Sequence, residues 1–141
     1  MVYALYFEFM RGDEQMQYLF VPSVMLGTVS LPPTLASKHL DRPGSRRQWA
    51  VNTNSYYQRQ SGSATLPTLL AEELPQLEGL SAYITSAVGD PSWILAWSFP
   101  VEVTQSDLLA LKETPTRVPT DLNDRVRTIR GEVANRSVLG I

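Results

Sequence analysis

The chain of 141 residues contains no cysteine, and this absence removes several kinds of site at once. Disulfide frameworks, thiolate metal centres and cysteine nucleophiles all require a thiol, so this chain has none of them. Its length is nevertheless sufficient for one domain to bury an apolar core without such cross-links. We therefore expect a single domain held together by apolar burial, and a reducing cytoplasm is the expected compartment.

Long apolar runs are also missing from the sequence. No window approaches 18 uninterrupted apolar residues, which argues against a membrane-spanning helix. The N-terminus lacks both the basic region and the apolar region of a signal peptide. These absences predict a protein that has no membrane partner.

Recognisable catalytic patterns are equally scarce. Histidine occurs once, at His39, and no G-x-S-x-G, H-E-x-x-H or glycine-rich phosphate motif is present. Glu72 and Glu73 diverge around a helix, and Asp121 precedes Arg125 by four residues, the spacing of an ordinary helical ion pair. We predict no catalytic residue, no metal and no cofactor, which favours a non-enzymatic protein. A small enzyme whose site is not visible in the sequence stays as the second alternative.

Apolar residues that are present alternate in five segments with the period of two that is typical of strands. These segments are 2–10, 15–21, 48–57, 80–88 and 92–103. The last is the most apolar, and aromatic side chains on it carry the largest burial area. Its alternating residues are expected to share one core-facing side: Trp93, Leu95, Trp97, Phe99, Val101 and Val103.

Helical spacing predicts the remaining elements. It occurs at 66–79, in a short helix capped by Thr104 or Ser106, and in a last helix that begins at Thr120. Residues 23–47 are predicted to form an irregular loop with room for one short helix at 34–40. The expected fold class is therefore α+β, a single domain with about five largely antiparallel strands, two or three helices and a C-terminal helix and tail.

Proline positions suggest how the chain is organised. We expect an α+β core at 1–114, followed at 115–141 by a proline-stiffened connector, a helix and an apolar tail. The apolar stripe of the last helix is narrow. Two interpretations stay open: the helix folds back onto its own sheet, or it reaches another subunit.

Charge is segregated along the chain although its net value is only −2. Residues 38–71 carry five cations and one acid, residues 72–113 carry seven acids and one cation, and residues 114–141 carry five arginines and three acids. Such blocks suit a partner of complementary charge, including a second copy of the chain.

These observations favour a protein-binding or assembly module, meaning an adaptor, an inhibitor or a subunit of a larger complex or particle. The expected partner is a protein or a second copy of this chain. The predicted contacts are arginine and aromatic residues of the basic loop, residues 38–59, and residues of the C-terminal segment 115–141. They are Arg42, Arg46, Arg47, Trp49, Tyr57, Arg127, Arg130, Leu139 and Ile141. The alternative is a nucleic-acid-binding accessory protein that uses the basic and aromatic residues of 38–59.

Overall fold

The computed structural model describes residues 2–42, 44–52 and 92–138 of the chain. The predicted helix at 66–79, the predicted strand at 80–88 and the predicted contacts Tyr57, Leu139 and Ile141 lie outside these residues. Within them the elements are, in chain order, β1 (Val2–Arg11), β2 (Glu14–Val21), β3 (Val24–Leu26), β4 (Val29–Leu31), β5 (Thr34–Leu40), β6 (Ala50–Asn52), β7 (Ile94–Val103), α1 (Gln105–Glu113) and α2 (Thr120–Val138).

The described part of the chain forms a five-stranded antiparallel sheet in the order β6-β5-β2-β1-β7. Strands β3 and β4 pair separately as a two-stranded hairpin. The predicted α+β single domain with five antiparallel strands and a C-terminal helix is therefore confirmed. None of the described helices is long and apolar enough to cross a membrane.

The first hairpin forms where the sequence predicts it. Gly12 adopts a positive φ of 58° between β1 and β2, as the first residue of a two-residue turn. Glycine at this position is typical of a type II′ hairpin, whose twist matches that of the flanking strands. The turn sets the register that pairs Tyr6 with Leu19 and Glu8 with Gln17.

The prediction of a loop with a helix at 34–40 is wrong. Residues 34–40 form β5, which pairs along its whole length with β2, and residues 24–31 form the β3–β4 hairpin turned at Gly27. The short segment has too few residues for its helical or strand period to be decided locally. Pairing with a central strand of the sheet settles its conformation, because tertiary context overrides weak propensity.

The prediction that all alternating residues of 92–103 share one face is also wrong. Register with β1 shifts between Glu8 and Phe9, so that Glu8 pairs with Trp97 whereas Phe9 pairs with Leu95. The extra residue, Ala96, is a bulge, and a one-residue offset reverses every side chain beyond it. Trp97, Phe99, Val101 and Val103 consequently face the helices, and Leu95 faces the other side of the sheet.

Both helices pack on the same face of the sheet. The core there contains Leu108 and Leu111 from α1 and Leu122 and Val126 from α2, against apolar side chains of β1, β2, β5 and β7. Ile129 and Val133 continue the stripe of α2 at the edge of this core. The last helix therefore packs on the sheet of its own chain, as the first of the two interpretations states.

A buried carboxylate ties the two helices together. Thr104 caps α1 in a capping box, since its Oγ1 accepts from the Asp107 amide at 3.1 Å and its own amide donates to Asp107 Oδ2 at 3.0 Å. Arg125 of α2 donates to the same Asp107 carboxylate at 2.9 Å and to the Glu102 carbonyl at 2.7 Å. Arg125 therefore pairs with Asp107 instead of Asp121, and this contact orients α2 over the sheet.

Candidate functional site

One row of residues across the sheet is polar, whereas the next row toward the centre of the core is apolar. Strand register aligns Trp97, Glu8, Gln17 and Lys38 side by side on the face that carries the helices. The neighbouring row contains Phe99, Tyr6, Leu19 and Ala36, all of which are buried. The polar row therefore marks the point at which the apolar core ends beneath α2.

A cavity of about 510 Å³ lies over this polar row, and we call it the basic cleft. The sheet contributes Tyr6 and Lys38, the chain between β5 and β6 contributes Arg46 and Trp49, and α2 contributes Arg127 and Arg130. Clefts of roughly 300–1,000 Å³ are the usual size of small-ligand sites in proteins. Four cations from three separate segments thus line one cavity of ligand size.

Glu8 anchors the floor of the basic cleft. Its carboxylate is fully buried, at 0% exposure, and receives Arg130 Nη2 at 2.7 Å and Arg130 Nε at 3.0 Å. Tyr6 Oη donates to the same carboxylate at 2.5 Å, and Gln17 Nε2 donates at 3.3 Å. Because a buried carboxylate needs such partners, this arrangement accounts for its charge completely.

The pKa values of the two groups bonded to Glu8, Arg130 and Tyr6, agree with this structural role. The hydrogen bond to Glu8 raises the pKa of Arg130 above its ordinary value. Burial, followed by the charge of Glu8, raises the pKa of Tyr6 far above its ordinary value. Neither Arg130 nor Tyr6 therefore exchanges a proton near neutral pH.

The outer cations of the cleft differ from Arg130 because they lack such compensation. Burial, and then the charge of Arg127, lowers the pKa of Lys38. Among the described residues no carboxylate pairs with Lys38 or Arg46, and Arg127 has only Asp124 at 3.9 Å. Lys38 and Arg127 therefore lie close enough for their like charges to repel each other.

Trp49 forms the wall between the basic cleft and a second cavity. Its Nε1 donates to Asn123 Oδ1 of α2 at 2.9 Å, which fixes the ring, and Lys38 Nζ lies 5.5 Å from the ring centroid. The second cavity, of about 650 Å³, shares Lys38, Trp49 and Asn123 with the first and adds Arg47 and Arg117. A cationic surface therefore continues past both sides of the tryptophan.

The structure brings together residues that the sequence placed in two separate predicted surfaces. Arg46 and Trp49 of the basic loop and Arg127 and Arg130 of the last helix line the same cleft. Arg47 borders the second cavity but is paired with Asp41.

Arg42 is exposed, and it lines neither the basic cleft nor the second cavity.

Sequence reasoning also missed several members of the site. Glu8 and Gln17 were not proposed, and Lys38 was recognised only as part of a basic segment. Glu8 does carry a signal, because it is the one charged residue in the apolar alternation of 2–10. A buried strand retains such a residue only where a partner reaches it. Asn123 carries no comparable signal in the sequence.

His39 belongs to a different cluster on the opposite face of the sheet. Its Nε2 lies 2.8 Å from Glu14 Oε2 and 3.8 Å from Asp41 Oδ1, a grouping that resembles a metal site in spacing. However, Arg11 and Arg47 already pair with the two carboxylates. The hydrogen bond with His39, and then that with Arg11, lowers the pKa of Glu14. This cluster is therefore balanced in charge by its own residues.

A third cavity, of about 370 Å³, lies between the β3–β4 hairpin and α1. Val24, Leu31, Leu108 and Leu111 line it, and it has no convergent set of charged groups. Of the three cavities in the described residues, the basic cleft gathers the most cations, and it shares the aromatic wall of Trp49 with the second cavity. No protein-family model, no curated protein and no solved structure matches this chain.

Proposed function

We propose that this chain is a non-enzymatic binding module that holds an anionic partner in the basic cleft. The observation that carries the proposal is the convergence of Lys38, Arg46 and Arg127 on one cavity. No described carboxylate pairs with Lys38 or Arg46, and Arg127 has Asp124 at 3.9 Å, which does not line the cavity. An anion in the cavity relieves the repulsion between these groups and gains charge-assisted hydrogen bonds. As an adaptor, an inhibitor or an assembly subunit, the protein would contact its partner there.

The preformed floor of the cleft supports a binding role. Glu8 holds Arg130 and Tyr6 in place, and Asn123 holds Trp49, so the site is organised before a ligand arrives. Preorganised sites bind more tightly because fewer side chains lose freedom on association. The raised pKa values of Tyr6 and Arg130 leave neither of them as an acid–base group near neutral pH, which favours binding over catalysis.

The experiment compares anion binding by variants that differ in one charge. We expect Arg46→Gln and Arg127→Gln each to weaken binding of inorganic tripolyphosphate, polyglutamate or an oligonucleotide, whichever the wild-type protein binds. Arg136→Gln is the matched control, because Arg136 is an exposed arginine on the same helix that lines none of the three cavities. A charge-assisted contact contributes about 1.5–3 kcal/mol when made, and solvent exposure reduces this.

Isothermal titration at fixed ionic strength supplies the measurement. Loss of affinity in both cleft variants, with the control unchanged, supports the proposal. Binding of none of the three anions by the wild-type protein would contradict it, and so would equal losses in the cleft variants and in Arg136→Gln.

A further inference from the structure

The basic cleft carries features that select among anions, and the inference drawn from them rests on the proposed function above. We propose that the anionic partner is a single-stranded nucleic acid, which places one base against Trp49 while its phosphates contact Arg46, Lys38 and Arg127. Three features of the molecule support this: the position of Trp49, the cations that line the adjoining cavity as well, and the uncharged polar side chains of the basic cleft.

Trp49 lies where a base needs to stack. Among the described residues, it and the buried Tyr6 are the aromatic side chains that line the basic cleft, and Trp49 also lines the second cavity. The bond to Asn123 holds the ring from α2, so the stacking surface is fixed before binding. Proteins that bind single strands combine a positive groove with aromatic rings of this kind, since every base has a π-face.

The cations extend beyond the volume of one ligand. Lys38, Arg46 and Arg127 line the basic cleft, and Arg117 borders the adjoining cavity beyond Trp49. A chain with one phosphate for each nucleotide can follow such a surface from one cavity into the next. Three of these four cations are arginines, whose planar guanidinium groups bind phosphate oxygens in pairs and stack on bases.

Uncharged polar side chains in the cleft can hydrogen-bond the edges of a base. Gln17, Ser45 and Asn123 line the basic cleft among its cations. Side-chain amides and hydroxyls read the exposed edges of unpaired bases, whereas a carboxylate peptide needs cations alone. In a duplex the bases are stacked inside, where they are out of reach of an aromatic wall, so the cavity favours a single strand.

The test uses fluorescence anisotropy with labelled single-stranded oligonucleotides of about 12 nucleotides, within the usual range of such sites. A duplex of the same sequence and polyglutamate of the same charge serve as comparison probes. We expect the single strand to bind at least about tenfold more tightly than either. Trp49→Ala should weaken this binding about 5- to 150-fold, the fold-change that corresponds to loss of one stacked base.

A second variant covers the case in which Trp49→Ala unfolds. Trp49→Phe keeps an aromatic ring, so it should retain most of the affinity while losing the bond to Asn123. Removal of one arginine that binds a phosphate, as in Arg127→Gln, should reduce the steepness of log K against log salt by about 0.7. Arg136→Gln should leave that slope unchanged.

The outcomes separate this inference from the proposed function. Tighter binding of the single strand, with weakening in a folded Trp49→Ala protein, supports the inference. Where Trp49→Ala unfolds, weaker binding by Trp49→Leu than by Trp49→Phe supports it, and equal binding by these two variants overturns it. Equal binding of polyglutamate or of the duplex overturns it while the cleft stays an anion site, and so does full affinity in a folded Trp49→Ala protein. Absence of binding to every anion overturns the proposed function itself.

Discussion

Lys38 and His39 are consecutive residues of β5, yet they face opposite sides of the sheet and two different electrostatic environments. On the side of His39, Glu14 and Asp41 are each paired with an arginine of the same chain. On the side of Lys38, burial and the charge of another cation, Arg127, lower the pKa of Lys38. We expect the balanced cluster to contribute to stability, and we propose the unbalanced one as a binding site.

The same distinction exists within the basic cleft. Arg130 is balanced by the buried Glu8, and Lys38 and Arg46 have no such partner in the described residues. Loss of stability after substitution therefore identifies the balanced groups, and loss of binding identifies the unbalanced ones. Substitutions at both kinds of group test this distinction between loss of stability and loss of binding.

Removal of the buried carboxylate should have the largest effect. Glu8→Gln leaves Arg130 without its charged partner and disturbs the hydrogen bonds of Tyr6 and Gln17. We expect the free energy of unfolding to fall by about 3 kcal/mol, at the low end for a broken buried pair because Arg130 reaches water. Urea denaturation gives the value.

The matched control for Glu8→Gln is an exposed acid on α2. Asp124 lies 3.9 Å from Arg127, and both side chains are largely in solvent. Asp124→Asn should change stability by less than about 0.5 kcal/mol. If the two substitutions had equal effects, Glu8 would not be the anchor of the cleft.

Gly131 offers a smaller effect of opposite sign at the edge of the cleft. It lies inside α2, and a Cβ added there meets no heavy atom within 4 Å. Gly131→Ala should therefore stabilise the protein by about 1 kcal/mol, since alanine loses less backbone entropy in a helix. A thermal melt checks this result, and a decrease in stability would contradict the helical conformation assigned to this residue.

The balanced cluster around His39 should show itself in acid. Because partners lower the pKa of Glu14 below its ordinary value of 4.5, the ionised form stabilises the folded state. This stabilisation is present above about pH 4.5 and is lost as the pH falls through the lowered pKa of the folded protein. Glu14→Gln should flatten the acid limb of a plot of unfolding free energy against pH. An unchanged acid limb in that variant would show that Glu14 is not stabilised by its neighbours.

Local patterns in the sequence are sufficient for part of this fold. The β1–β2 hairpin and the apolar stripe of α2 are confirmed because both depend on residues close together in the chain. The strand at 34–40 and the bulge at Ala96 are not visible locally, since each is decided by pairing with a distant strand. Pattern alone therefore predicts the elements better than it predicts which faces they share.

The candidate site shows the same limit. Sequence reasoning proposed Arg46, Trp49, Arg127 and Arg130 as contacts, but it assigned them to two separate surfaces. Only the sheet order and the packing of α2 bring them around one cavity. Glu8 was overlooked because its partner, Arg130, lies 122 residues further along the chain. The binding role of these residues stays a prediction.

The proposal that Lys38 and its neighbouring cations bind an anion is tested most directly by thermal unfolding. The wild-type protein and Lys38→Met are compared with and without inorganic tripolyphosphate at fixed ionic strength. Methionine keeps an unbranched apolar side chain but removes the charge that burial and Arg127 oppose. We predict that Lys38→Met without the anion is as stable as the wild-type protein or slightly more stable, by about 0.5 kcal/mol after allowance for solvent screening. We also predict that the variant loses most of the stabilisation that the anion gives to the wild-type protein. A variant that is less stable than the wild-type protein and is still stabilised fully by tripolyphosphate would contradict anion binding at Lys38.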